Sequence, residues 1–439
     1  MVKVTMDKWV KSLPEEYQEA YLKGWAHNYA LEGTADQYDF ASAISFADTT
    51  CRDGEQQPGI VFTPEQKVDI VQTIADAGIT LIEIGYPGVS VEEERACKMI
   101  RENAPKAFCY VMARANQHDI DAALRSDAKI LDLFTSCSEF HIRKKLGITP
   151  EENIESYLKM LDYACDHDMG IVFGMEDISR SHIDYYVKII KEVHDRAGKH
   201  WLGTGISDTV GIFNPKSAVW FYKQVQSRLP GIPLGMHFHN DLGMATANTL
   251  ACIEAGCSTV QGTILGIGER CGNTALEEII VALKTIYGLK LRQINYDKLM
   301  EACEKVSRYA GIPIPPNKPI VGMNAFRHES GIHAHGVMSG AGIYEIIPHD
   351  WIGRKSEFAF GKFSGTAVVL EEILKPQGIN PTKEQLREIV MKVKDQNEKR
   401  EAEKRKEKEE FVKKYYEYIR SMTLSMDEVL DIAKEVMKK

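Results

Sequence analysis

Eight short runs of β-branched and apolar residues, most of them followed by an amphipathic helical pattern, set the rhythm of this chain from residue 44 onward. Strands are expected at 44–50, 80–86, 107–113, 129–136, 170–177, 201–208, 233–240 and 258–266. Eight strand–helix units in roughly 240 residues have the count and length of a closed (β/α)8 TIM barrel, with a doubly wound open sheet as the rival. The first helix shows how strongly the boundaries are signalled: Thr63 caps, Pro64 suits the first turn and Gln66 completes a capping box.

Bulk properties narrow the class. A chain of 439 residues holds one large domain and an appendage. Its 44% hydrophobic and 27% charged residues are those of a globular protein, and a net charge of −9 argues against a nucleic-acid partner, which demands a basic face. No stretch has the length and apolarity of a membrane span or a secretion signal, so a cytoplasmic location is expected. The nine cysteines form no CxxC pair, which disfavours a disulfide framework or structural zinc; Cys271, in a polar glycine-rich loop, stands apart.

Barrel enzymes carry their functional residues where strands end, and this chain sets polar clusters there. Arg52 and Asp53 follow the first strand, Glu83 lies in the second and Arg114 follows the third. Ser138 and His141 follow the fourth, Glu176 and Asp177 end the fifth, and Asp208 and Thr209 end the sixth. In the seventh, His237 and His239 are two apart and therefore share a face of the strand, which makes either half of a metal site or a polar pair at a strand end. The charges of the Asp48–Gln56 run are costly to bury unless they meet a cation, a substrate or each other; otherwise the segment is a solvated loop. Two histidines and one carboxylate would leave positions open on a divalent metal for a substrate that chelates through oxygen.

Beyond the barrel the character changes at Pro313–Pro319, a proline-rich linker. A second polar cluster, Phe326–Gly336, reads as a second metal site or as a capped turn. From Asn380 onward mixed-sign charge at helical spacing describes a solvated helix. The expected organisation is a helical extension over 1–43 that packs or contacts another subunit, a barrel over 44–312, a linker and lid segment over 313–379 and a C-terminal helical subdomain over 380–439.

Four segments together resemble the acyl-CoA condensing enzymes of the DRE-TIM metallolyase superfamily, the group of 2-isopropylmalate, homocitrate and citramalate synthases. They are Asp48-Thr-Thr-Cys-Arg52-Asp53-Gly-Glu-Gln, His237-Phe-His239-Asn-Asp-Leu-Gly, Gly266-Ile-Gly-Glu-Arg-Cys-Gly-Asn273 and His328-Glu-Ser-Gly-Ile-His333. The resemblance implies that Asp53, His237 and His239 bind a divalent cation (Mn2+, Zn2+, Mg2+ or similar) with Asn273 close by, and that Arg52 meets the developing alkoxide. It implies too that His333 enters from the partner subunit of a homodimer and works with Glu176 in proton transfer. Acetyl-CoA and a small 2-oxo acid are the implied substrates, with Arg114, Ser138, His141, Arg143 and Thr209 toward the acceptor.

Which acceptor is less sharply written. Isopropylmalate synthases often carry a C-terminal leucine-binding domain, and the charged helical stretch here does not resemble one, so leucine feedback through such a domain is not expected. His141 fits the isopropylmalate pattern, whereas Arg143 stands where that pattern is commonly acidic, and Gly205-Ile-Ser-Asp208-Thr209 is similar to homocitrate synthases. A cation near the side-chain pocket favours a 2-oxo diacid. The alternatives are a 2-isopropylmalate or citramalate synthase without the regulatory domain, an acyl-CoA lyase of the same superfamily, and a degenerate barrel without catalysis. Against the lyase, the loop around Cys271 lacks the Gly-Gly-Cys-Pro pattern of those enzymes.

Overall fold

The computed structural model describes residues 2–438. Eight parallel strands close on themselves in sequence order: β1 Ser45–Asp48, β2 Leu81–Glu83, β3 Phe108–Arg114, β4 Ile130–Ser136, β5 Gly170–Glu176, β6 Trp201–Asp208, β7 Leu234–Phe238 and β8 Thr259–Gly262. The last strand pairs with the first through Ser45–Thr259 to Asp48–Gly262, which excludes the open sheet. Each expected strand is present, with ends shifted by a few residues.

The helices α1 Pro64–Asp76, α2 Val91–Asn103, α3 Gln117–Arg125, α4 Pro150–Asp166, α5 Ile183–Ala197, α6 Pro215–Arg228, α7 Ala245–Glu254 and α8 Leu276–Tyr287 alternate with the strands. The box at Thr63 and Gln66 forms as its residue types dictate, and Thr149 with Glu152 repeats it on α4. Between sheet and helices lies the apolar core, where Ile82, Val111, Leu131, Leu133, Ile171, Phe173, Ile206 and Val260 are fully buried. At the N-terminal end Phe40 packs on Tyr38 and Tyr287 with ring centroids 5.4 and 5.1 Å apart.

Contacts divide the chain into two units. The barrel unit takes residues 1–6 and 28–313; the second takes 7–27 with 314–439. About half of the N-terminal stretch, residues 7–27, thus groups with the C-terminal unit, and Tyr17 is buried there against Gly342. In that unit α9 Gly331–Ser339, α10 Lys383–Ser421 and the chain between them share a small core of Ala334, Val368, Val369, Leu374 and Val390. A final helix, α11, spans Met426–Met437. No described helix is long and apolar enough to cross a membrane.

One buried cation holds two loops of the barrel rim. Lys67 on α1 is fully buried; its Nζ lies 2.5 Å from Glu55 and 2.6 Å from Glu93, and donates to the Cys51 carbonyl at 3.1 Å. Glu55 in turn accepts from the Phe62 amide at 2.7 Å and Glu93 from the Tyr86 amide at 3.0 Å. The loops after β1 and β2 are therefore fixed to each other through a single ammonium. Lys67→Met should leave two carboxylates without their cation and lower stability by about 3 kcal/mol, read by guanidinium unfolding; a loss below about 1 kcal/mol would mean that packing alone holds the loops.

Candidate active site

Immediately after β1 the chain turns so that Arg52 and Asp53 stand over the barrel mouth. The Arg52 guanidinium reaches Asp53 Oδ2 at 2.6 Å with Nη1 and Glu83 Oε2 on β2 at 2.9 Å with Nη2. His237 Nε2 and His239 Nε2, on β7 and just beyond it, each lie 3.9 Å from the same Asp53 Oδ2 and 3.4 Å from each other. Asn273, after β8, donates from Nδ2 to Asp53 Oδ1 at 2.9 Å. Among the described residues, Asp53, His237 and His239 are the one group of three or more such side chains whose ligand atoms lie close enough to share an ion.

The donor set fits a divalent cation. All three side chains are buried, and the Asn273 Oδ1 atom is buried with no hydrogen-bond partner. Burial, aided by its neighbour His239, pushes His237 down to about 3, and burial lowers His239 as well; both imidazoles are neutral at physiological pH, the form that ligates. Burial alone would raise Asp53, but Arg52 and the two histidines outweigh it and hold the carboxyl well below its ordinary range. A neutral imidazole pair facing a permanent carboxylate is a ligand set for a borderline metal ion.

Beneath this lies a polar floor of which the sequence marked out Glu83. Thr49 donates to Glu83 at 2.7 Å, and Gln261 on β8 donates to Glu83 at 3.3 Å and to Tyr110 on β3 at 2.8 Å, so strands β2, β3 and β8 turn polar groups into the barrel. Asp132 on β4 is partly buried, with its Oδ1 out of solvent and unpartnered, and desolvation together with Glu83 pushes it up to about 8. Gly174 on β5 makes its space: a Cβ there would sit 2.1 Å from Asp132 Oδ1. The signal was one carboxylate in the middle of the apolar run Lys129-Ile-Leu-Asp132-Leu-Phe.

A second group of expected residues gathers around Asp177, whose φ of 60° places it in the left-handed region. Ser138 donates to Asp177 Oδ2 and caps the His141 amide at 3.1 Å; His141 Nε2 lies 3.5 Å from the same carboxylate, and Thr209 Oγ1 accepts from the Asp177 amide at 2.8 Å. Arg180, which nothing in the sequence marked out, completes the group through Asp177 at 2.7 Å and His141 at 3.3 Å. Glu176 bonds Ser136 at 3.2 Å and pairs with Lys145.

Two further expected cations each hold an acidic partner of their own. Arg114 is held by Asp119 at 2.8 Å and lies over the Tyr86 ring, and Arg143 pairs with Glu139 at 2.6 Å on a half-exposed turn. In the second unit, His333 is exposed on α9 and meets Tyr344 edge-on at 4.4 Å. Of the two readings of the Phe326–Gly336 cluster, the second metal site has no ligand set among the described residues: His328 and His349 both bond Glu345, at 2.8 and 3.0 Å, and Ser356 adds a donor at 2.6 Å. A buried carboxylate shared by two histidines and a hydroxyl is a structural knot that ties Arg327–His328 to the segments around 345 and 356. No disulfide joins any of the nine cysteines, and Cys271 is exposed.

Comparison with known proteins places this geometry. The HMGL-like family profile matches residues 43–306, and that of the homocitrate synthase post-HMGL domain matches 320–401. A 2-isopropylmalate synthase of Methanocaldococcus jannaschii is 38% identical over 84% of this chain and 70% of its own length. A homocitrate synthase of Methanopyrus kandleri is 37% identical over 83% of this chain and 90% of its own. An (R)-citramalate synthase of M. jannaschii is 37% identical over 80% and 70%. The chain belongs to the HMGL-like family of the DRE-TIM superfamily, within the group of 2-isopropylmalate, homocitrate and citramalate synthases. It is an acyltransferase-type enzyme of that group, and the three activities stand at near-equal identity.

Gly268 is the tightest backbone constraint on the site, since a Cβ there would lie 2.1 Å from Asn273 Nδ2 and 2.8 Å from Asp53 Oδ1. Gly268→Ala should displace the Asn273–Asp53 hydrogen bond and weaken Mn2+ binding about 10- to 100-fold in calorimetric titration; unchanged affinity would remove Asn273 from the support of the ligand set.

Proposed function

We propose that this chain condenses acetyl-CoA with a 2-oxo diacid, in the manner of a homocitrate synthase, and hydrolyses the thioester to release CoA. The observation that carries the reading is the convergence of Asp53, His237 and His239 beside the buried Arg52. Asp53, His237 and His239, with Asn273 at hand, would hold a divalent cation, which would supply Lewis-acid polarisation to the keto group of a bound 2-oxo acid. The chain's own groups do the rest. Arg52, fixed by Asp53 and Glu83, presents positive charge that strengthens its interaction as an alkoxide develops. Glu176 and His333 move the proton of the acetyl methyl, and the enolate carbon attacks the keto carbon.

Ser138, His141 and Thr209 around Asp177 form the polar wall toward the acceptor, with Arg114 at the rim. Arg143 reads the acceptor's second carboxylate. Its present partner is Glu139 four residues away in an exposed pair worth about 0.3–0.5 kcal/mol, which a substrate carboxylate outcompetes. The alternative, a 2-isopropylmalate or citramalate synthase, is favoured by one observation, the match of His141 to the isopropylmalate pattern. A cytoplasmic location accompanies this reading.

The test is CoA thiol release from acetyl-CoA across 2-oxoglutarate, oxaloacetate, 2-oxoisovalerate and pyruvate with added metal. The diacids should be turned over at least tenfold more efficiently, and Arg143→Ala should erase that preference. A preference for 2-oxoisovalerate or pyruvate would move the chain to the alternative, and equal losses on all acceptors would remove Arg143 as the reader.

We propose further that the enzyme is a homodimer in which His333 serves the barrel of the other copy. Mixing Arg52→Ala with His333→Ala protein, each inactive alone, should then restore roughly a quarter of wild-type activity, since half the random dimers carry one intact site of two. No recovery after subunit exchange would place His333 in the site of its own chain.

A further inference from the structure

We propose that the apolar faces at the end of α10 and along α11 form a docking surface for a second copy of this chain, the end of α10 from one copy taking α11 of the other. This inference is independent of which substrate is condensed. Helix α10 leaves its own core early: Leu386, Ile389 and Val390 pack against Val368, Val369 and Leu374, and from Glu398 to Lys438 every side chain but Tyr415 and Ile419 is exposed. Residues 399–410 carry charge on all sides and pair internally, as Lys404 does with Glu407 at 2.5 Å. That rod extends about 18 Å at 1.5 Å per residue and carries residues 411–437 away from the core of their own unit.

Those last residues are rich in apolar side chains. Phe411, Tyr415 and Ile419 recur every four residues on α10, and Val429, Leu430 and Val436 share a stripe on α11. Twelve large apolar side chains between Phe411 and Met437 are 44–87% exposed. α11 buries none of its residues, so it does not fold back on α10 as a closed hairpin. A twelve-residue helix of this kind is marginal in water without a partner on its apolar face.

Charge and area select the occupant. The last turns of α10, residues 411–421, hold Lys413, Lys414 and Arg420 against Glu417, a net of +2, whereas α11 holds Asp427, Glu428, Asp431 and Glu435 against Lys434, a net of −3. Each chain thus carries both halves of a complementary pair, and two copies close it by a twofold axis as four helices. At on the order of 100 Å2 for each exposed apolar side chain, the surface offers roughly 1,000 Å2 per copy, against the ~800 Å2 per partner of a stable interface.

The experiment uses the full-length protein with a photo-crosslinking benzoylphenylalanine in place of Phe411. Irradiation at micromolar concentration should give a covalent dimer whose junction peptide maps to residues 426–437. The double variant Leu430→Asp/Val436→Asp should lose that product at least tenfold while the protein stays folded by circular dichroism. A monomeric product cross-linked to its own α11, a dimer joined elsewhere, or no cross-link would each overturn the proposal.

Discussion

The site depends on one oxygen atom. Asp53 Oδ2 accepts the Arg52 guanidinium at 2.6 Å and faces two imidazole nitrogens at 3.9 Å, in a barrel mouth from which water is largely excluded. Counting buried charge shows why a cation belongs there. Arg52 contributes +1 against the carboxylates of Asp53 and Glu83, the two histidines are neutral, and Asp132, raised to about 8, holds its proton at neutral pH. Among these groups the negative charge is in excess, and an unpaired buried charge costs several kcal/mol. A divalent ion would turn that cost into affinity, and its surplus positive charge would be available to an anionic substrate.

Holding that oxygen in place falls to groups that touch no substrate. Lys67 pins the backbone at Cys51 through one hydrogen bond and the loop's far side through Glu55, so Arg52 and Asp53 are bracketed. Gly268 lets the loop after β8 come close enough for Asn273 to fix the other Asp53 oxygen. Gly174 clears the space in which Asp132 sits. At both glycines a methyl group would have nowhere to go, and each makes room for a side chain of another strand or loop, so site precision here is a property of strand register as much as of the donor residues themselves.

The barrel was legible because parallel strands buried on both faces must be apolar runs, and helices between them must be amphipathic; both periods survive in one sequence. The convergence of Asp53, His237 and His239 was legible for a chemical reason: a pair of histidines two apart in a strand can converge, and a carboxylate in a dense charged turn needs a partner. What escaped was whatever depends on three-dimensional pairing. Gln261 and Tyr110 join across strands 151 positions apart in sequence, and Asp132 finds its space at Gly174 on the neighbouring strand. Arg180 is recognised only once His141 and Asp177 stand beside it. The histidine cluster after the linker scattered, with His328 turning to Glu345 and His333 to Tyr344, because His328 lies on the two-residue strand Arg327–His328 and His333 on the helix that follows it. The first residues also escaped, since Tyr17 finds its burial more than 300 positions away at Gly342.

The same contrast separates reaction from specificity. Polarising a keto acid needs fixed donors within a few ångströms of one point, and the buried network supplies them with ion pairs that solvent does not screen. Choosing among keto acids needs only a charge or a methyl group at the far end of the acceptor, and Arg143, the proposed reader, is half-exposed and held by a pair worth a few tenths of a kcal/mol. A side chain held so loosely can change partner on substrate binding without disturbing the metal site. Relatives with three different acceptors can therefore share nearly two-fifths of this sequence and still differ in what they bind.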